Sequence, residues 1–219
     1  SVSDSWLAHA RSYTEKMIER FGFGAKSLVV ELASNDGYLL QYFKQAGVPV
    51  LGVEPAANVA KVAEEKGIPT LVEFFGVKTA QAMVRNGQQA DLLLGNNVLA
   101  HVPDVNDFVA GMKIALKPKG IITVEFPHLQ QLVDHCQFDT IYHEHFSYFS
   151  FGTAEKIFAR HGLTLFDVEE LPTHGGSLRI YARHVEDTDR AISENVAGLR
   201  EREQKLGYTR LDLYELFAE

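Results

Sequence analysis

The sequence predicts an α/β fold in which a mostly parallel sheet carries helices on both faces and ends in an antiparallel edge. Three observations predict it. Several short runs are dominated by apolar residues without alternation, among them SLVVELA (Ser27–Ala33), DLLLG (Asp91–Gly95) and GIITVEF (Gly120–Phe126). Strands buried on both faces read this way, whereas half-exposed strands alternate. Segments of helical periodicity, each about a dozen residues, separate these runs, as βαβ units require. After Leu163 two strand-like runs follow each other with only THGGS between them, which suits an antiparallel pair.

Each element follows in order. Ser5 to Phe21 is helical in pattern, with Leu7, Tyr13, Met17 and Ile18 sharing a face, and Gly22 and Gly24 stop it. Ser27 to Ala33 is the first strand and Asp36 to Ala46 the first crossover helix, ended by Gly47. Val48 to Val53 is the second strand. Pro55 to Glu65 is a helix with proline just inside its start. Gly67 to Val72, Val77 to Asn86, Asp91 to Gly95, Asp104 to Leu116 and Gly120 to Phe126 continue the alternation of strand and helix. Gly152 to His161 returns to helix, and Leu163 to Leu171 and Ser177 to His184 make the sixth and seventh strands. From Glu186 the chain is charged and helical. Residues 1–26 thus read as a helical lead-in, 27–185 as the main domain, and 186–219 as a helical extension that continues toward a further domain.

Composition narrows the function. A net charge of −8 disfavours a general affinity for nucleic acid or an anionic membrane. No run reaches the roughly 20 apolar residues of a membrane span. The single cysteine, Cys136, builds neither a disulfide framework nor a multi-cysteine zinc site. The cytoplasm is the expected compartment.

In parallel sheets ligands bind at the carboxyl ends of the strands. There the sequence places Val29-Val30-Glu31-Leu32-Ala33-Ser34-Asn35-Asp36-Gly37, with Glu31 near the strand end and small residues leading into the helix. Small residues admit close approach of a ligand to the backbone. Glu31 and Asp36 can meet an ammonium group. Glu54, at the end of the second strand and followed by Pro55, can accept both hydroxyls of a ribose. The loop lacks GxGxxG, and Asp36 sits where a pyrophosphate would have to lie, so an acidic loop favours a cationic sulfonium over a phosphate. Leu28 to Phe126 resembles a class I, Rossmann-like methyltransferase that uses S-adenosylmethionine. Ala33 and Ser34-Asn35 stand where that family commonly has glycines. Phe74 and Phe75, after the third strand, are candidates to flank the adenine, with a place in the core as the default for both.

Two further runs carry the chemistry. Gly95-Asn96-Asn97-Val98-Leu99-Ala100-His101-Val102-Pro103 follows the fourth strand, and Phe138 to Ser150 contains Tyr142-His143-Glu144-His145. Together with the loop Thr173 to Arg179 they resemble the C-methyltransferases of nucleotide-linked, dTDP-type 4-keto-deoxysugars, from about Leu28 to His184. The resemblance implies that His145 removes the proton next to a ketone. It implies that Tyr142 and Glu144 line the substrate site. It assigns Asn97 and His101 to the sugar and the developing enolate oxygen, and Asn96 and Asn97 to the cofactor side as well. A histidine suits a base near neutral pH, and donors preorganised toward an enolate oxygen are often the largest catalytic contribution. The family also implies an amino-terminal zinc-binding domain and a carboxyl-terminal Rossmann-like domain beside this central one.

Alternatives stand beside these roles. His101 can instead cap a helix or satisfy a buried backbone group. His143 and His145 as metal ligands would need further ligands that the sequence does not name, so no metal is expected. His174, Gly175, Gly176 and Arg179 form either a loop closing on substrate, with Arg179 available to a phosphate, or a simple β-turn. At the level of function, transfer to an oxygen acceptor and a cofactor-binding module without turnover compete with C-methylation.

Overall fold

The computed structural model describes residues 3–128, 150–173 and 176–206. Its strands are β1 (Val29–Leu32), β2 (Val50–Val53), β3 (Thr70–Leu71), β4 (Ala90–Asn96), β5 (Leu116–Pro127), β6 (Leu163–Leu171) and β7 (Ser177–His184). Its helices among the described residues are α1 (Asp4–Phe21), α2 (Leu40–Gln45), α3 (Ala57–Glu65), α4 (Val77–Arg85), α5 (Val105–Ala115), α6 (Phe151–Arg160) and α7 (Glu194–Leu206). The strand order is β3-β2-β1-β4-β5-β7-β6 in one seven-stranded sheet. β1 pairs parallel with β2 and β4, β2 pairs parallel with β3, and β7 pairs antiparallel with β5 and β6. This is the mostly parallel sheet with an antiparallel edge that the apolar runs predict.

The chain divides into two compact units, Ser1–Gly95 with Ala110–Gly120 and Asn96–Val109 with Ile121–Glu219. In the first, β1 and β2 are buried throughout, as their largely apolar sequences suit, and the burial includes Glu31 of β1. α1 buries Ala10, Tyr13, Thr14 and Met17, a stripe at helical spacing, so the buried face turns slightly from the one that Leu7 and Ile18 suggested. Tyr13 meets Phe43 of α2 edge to face, with ring centroids 6.3 Å apart. Gly22 ends α1 in the left-handed region, φ 71°, its N–H bonded to the Ile18 carbonyl at 2.8 Å. Gly111 of α5 lets that helix approach the backbone of Gly76, since a Cβ there would lie 2.7 Å from the Gly76 carbonyl carbon.

In the second unit, β7 is buried over all but its last residue. α6 buries Phe151, Ala154 and Phe158, and its first turn is capped by Ser150, whose Oγ accepts the Thr153 N–H at 3.0 Å. Asp104 caps the start of α5, its Oδ1 accepting the Asp107 N–H at 3.0 Å. Among the described residues no helix is long and apolar enough to cross a membrane, and no group of three or more His, Cys, Asp and Glu side chains is placed to hold a metal ion.

Candidate cofactor and acceptor sites

In the first unit the loop after β1 folds over the end of β2. The N–H groups of Ala33 and Ser34 both reach the Val53 carbonyl, at 2.8 and 3.3 Å. Ala33, Asn35 and Gly37 all take positive φ, at 57°, 56° and 80°. The loop thus adopts a glycine-like path with glycine at only one of the three positions. A left-handed L-residue costs about 1–2 kcal/mol, less for asparagine, and the surrounding bonds hold it there. Gly37 has no alternative, because a Cβ would lie 3.1 Å from Ile68 Cγ1 in addition to the φ penalty.

Glu54 is the best-fixed acidic group of this loop cluster. It is 8% exposed, its Oε1 accepts the Asn35 N–H at 3.0 Å and its Oε2 the Ala56 N–H at 2.8 Å. Each carboxylate oxygen has a second lone pair left for a ligand hydroxyl. Pro55 precedes α3 rather than opening it, and it is exposed. Proline has no N–H to donate, so the carboxylate turns to the next amide, Ala56. Glu31 lies buried near the end of β1. Asp36, which the sequence assigned to an ammonium group, also serves the loop itself, accepting the Tyr38 N–H at 3.2 Å and pairing with Lys66 at 3.3 Å. Phe75 is half-buried, its ring edge within 3.1 Å of where a Gly111 Cβ would sit, while Phe74 is exposed.

Sequence reasoning missed Ser34 and Gly52. Ser34 is fully buried, and its Oγ has no hydrogen-bond partner among the described residues. Gly52 makes room for it, because a Cβ on Gly52 would lie 2.4 Å from that oxygen. A buried hydroxyl awaiting a partner, beside a carboxylate already oriented by the main chain, fits a polar nucleoside-bearing ligand such as S-adenosylmethionine.

In the second unit Asn97 follows β4 with φ 58°, its N–H bonded to the Glu125 carbonyl of β5 at 2.7 Å. Oδ1 of the half-buried Asn96 has no partner among the described residues. His101 ends a single 3₁₀ turn, Leu99–His101, and is exposed. It caps no helix, since Asp104 does that. Arg179 lies within β7. It is 3% exposed, and its Nε donates to Glu125 Oε2 at 3.0 Å while Nη1 lies 3.7 Å from Glu169 Oε1. The strand registers put Glu125, Arg179 and Glu169 side by side across β5, β7 and β6. The guanidinium is engaged by carboxylates of the two neighbouring strands. Tyr181, two residues on, donates its hydroxyl to Glu169. Burial, and then the Glu169 bond, raise the phenol above its ordinary pKa. Tyr142, His143, Glu144, His145, His174 and Gly175 lie outside the described residues.

Comparison with known proteins agrees with this geometry. Residues 6–168 match the family model of a methyltransferase domain, and residues 172–219 match a C-methyltransferase C-terminal domain. The chain therefore belongs to the S-adenosylmethionine-dependent methyltransferases of class I fold. More particularly, it is similar to the C-methyltransferase NovU of Streptomyces niveus, 37% identical over 218 residues, covering 100% of this chain and 52% of the relative. The chain thus spans about half that relative's length. A ubiquinone biosynthesis O-methyltransferase of Bartonella tribocorum is 28% identical over 97 residues, 44% of this chain and 39% of the relative. In fold, the chain resembles the magnesium protoporphyrin IX methyltransferase of Synechocystis with bound S-adenosylhomocysteine, at a TM-score of 0.63, 15% identity, and 83% and 88% coverage of the two chains.

Proposed function

We propose that this chain catalyses C-methylation of a nucleotide-linked, dTDP-type 4-keto-deoxysugar at the carbon next to the ketone. The observation that carries this reading is the extent of the similarity. A C-methyltransferase aligns over 218 residues, whereas the O-methyltransferase above aligns over 97. The acceptor-side half, with its Asn97 turn and the antiparallel edge, is where methyltransferases with different acceptors are free to differ.

The residues divide the work as follows. Glu54 receives the ribose hydroxyls on the lone pairs that Asn35 and Ala56 leave open. Ser34 Oγ offers a further bond, Glu31 and Asp36 supply negative charge for an ammonium group, Ala33 and Gly37 keep the loop close to its ligand, and Phe75 supplies an apolar wall. When bound, S-adenosylmethionine supplies an electrophilic methyl group. Asn96 and Asn97 lie at the end of β4, with the Asn97 main chain fixed through its N–H, and the Asn97 side-chain amide serves as a donor to the developing enolate oxygen. His145 takes the proton next to the ketone, with Tyr142, Glu144 and the exposed His101 around the sugar. These acceptor roles rest on the resemblance of the YHEH and NNVLAH runs. The flanking zinc-binding and carboxyl-terminal Rossmann-like domains belong to the same proposal.

The test combines binding and proton exchange. Calorimetric titration should show S-adenosylmethionine binding that weakens about 10–100-fold in Glu54→Ala, as loss of two hydrogen bonds to a charged group implies. With cofactor present, the wild-type chain should exchange deuterium from solvent into the position next to the ketone. His145→Asn should abolish both exchange and methyl transfer while binding cofactor normally. Methyl transfer to a hydroxyl without exchange would favour the oxygen-acceptor reading. Binding with neither reaction, even with the flanking domains restored, would favour a module without turnover.

A further inference from the structure

A second polar assembly lies at the carboxyl end of β5, outside the cofactor loop and the Asn97 turn. His128 follows β5 directly, and its N–H bonds the Gly176 carbonyl at 3.1 Å. The residue is 1% exposed. Its Nε2 lies 2.7 Å from Oε2 of Glu203, a residue of α7 that is 5% exposed. The carboxylate is fixed in turn by the start of α6. Its Oε2 accepts the Phe151 N–H at 2.8 Å, and its Oε1 accepts the Gly152 N–H at 2.9 Å. Surrounded by donors, Glu203 is the acceptor in its contact with the imidazole, so Nε2 carries the hydrogen, and in the neutral ring Nδ1 keeps a lone pair. Nδ1 is buried and has no hydrogen-bond partner among the described residues.

That combination needs a reason. A histidine that only bridged β5 to α7 would have no use for a second buried nitrogen, and an unsatisfied one costs stability. The assembly also sits where open α/β sheets receive their ligands, at the carboxyl end of a strand. A lone pair can only accept, so the missing partner must bring a donor. A ketone oxygen or a phosphate oxygen brings none, whereas a sugar hydroxyl does. We propose that His128 is a specificity-determining residue, whose Nδ1 accepts a hydrogen bond from a ring hydroxyl of the acceptor sugar. Glu203 is its positioning residue, holding the tautomer and the ring. The proposal rests on the nucleotide-sugar reading above.

The experiment is a kinetic cycle between protein and substrate. The full chain is assayed with S-adenosylmethionine and a nucleotide-linked 4-keto-deoxysugar, and with analogues that each lack one ring hydroxyl. The wild type should lose about tenfold in kcat/KM for one analogue, mostly through KM. His128→Gln keeps an amide donor toward Glu203 but places no acceptor at the Nδ1 position. It should lose about tenfold on the parent sugar and treat that analogue and the parent alike. A His128→Gln protein that still discriminates as the wild type does overturns the proposal alone. A wild-type protein that turns over no keto sugar, even with the flanking domains restored, overturns the nucleotide-sugar reading and this proposal together. Should the variant not fold, nitrogen NMR of ¹⁵N-histidine-labelled wild type decides. An unprotonated Nδ1 that shifts on addition of the sugar supports the assignment, and an Nδ1–H tautomer, or a resonance indifferent to sugar, overturns it.

Discussion

The end of β2 and the row across β5, β7 and β6 each hold a buried carboxylate, Glu54 and Glu125, and they satisfy it by opposite means. Glu54 is held by two main-chain N–H groups, from Asn35 and Ala56. Glu125 and Glu169 are held by side chains, the Arg179 guanidinium and, for Glu169, the Tyr181 hydroxyl. Main-chain amides orient a carboxylate without neutralising it, and each oxygen retains a lone pair. A guanidinium set between two carboxylates neutralises charge and leaves little to offer a ligand. The first arrangement suits a group that must bind something, the second a brace. The brace still reaches the chemistry, because the Glu125 carbonyl accepts the Asn97 N–H and so helps to set the left-handed turn there.

The largest expected effect breaks the brace. Arg179→Met should destabilise the fold by about 3–5 kcal/mol in urea unfolding, because it leaves Glu125 buried without its cation. Adding Glu125→Gln to that variant should recover part of the loss, which is the sign that the penalty came from an uncompensated charge rather than from lost packing. A cost below about 1 kcal/mol for the single change would show that the row is solvated and that the contrast with Glu54 fails.

A smaller effect sharpens the same comparison through pH. Burial, and then the bond to Glu169, raise the Tyr181 phenol above its ordinary value of 10.0. In the unfolded chain the phenol releases its proton near pH 10, while in the folded chain it stays protonated, so unfolding is favoured as pH rises. The contribution is complete below about pH 10 and is lost progressively above it. Tyr181→Phe should cost about 1 kcal/mol at neutral pH. It should also flatten the fall in stability above pH 10, measured by thermal unfolding across the alkaline range. An unchanged alkaline slope would mean that the phenol titrates normally in the fold.

The sequence announced the sheet more clearly than the braces within it. Runs such as Val29–Val30 and Leu92–Leu94 are apolar because both faces are covered, so their identity as strands was legible, and β6 and β7 keep the bounds that their composition suggests. Strand ends were less legible. β3 shrinks to Thr70–Leu71 at the edge of the sheet, and β5 begins at Leu116 rather than Gly120. Glu54 could be found because it ends a strand that the pattern had already placed. The carboxylate partners of Arg179 could not be read, since they come from strands whose register no local signal records. His128 and Glu203, 75 residues apart, are brought together by the packing of α6 and α7 against β6. Ser34 and Gly52 are small residues of ordinary type, and only the closeness of their backbones reveals that one makes space for the other.

The smallest expected effect concerns strain in the region held by the main chain. Ala33 is exposed and sits at φ 57°, a conformation that alanine disfavours by about 1–2 kcal/mol. Glycine would remove that penalty but would lose about 0.5–1 kcal/mol through the greater freedom of the unfolded chain. Ala33→Gly should therefore stabilise the protein by about 0.5 kcal/mol, read from the shift of the urea midpoint. The informative readout is cofactor affinity measured beside it. If the variant is more stable and binds S-adenosylmethionine less tightly, the alanine is holding the loop in its binding shape, and the strain is part of the site. If stability and affinity rise together, the bonds from Ala33 and Ser34 to Val53 already fix the loop, and the left-handed alanine is a tolerated cost. Either result separates what the main chain fixes near Glu54 from what side chains fix around Arg179.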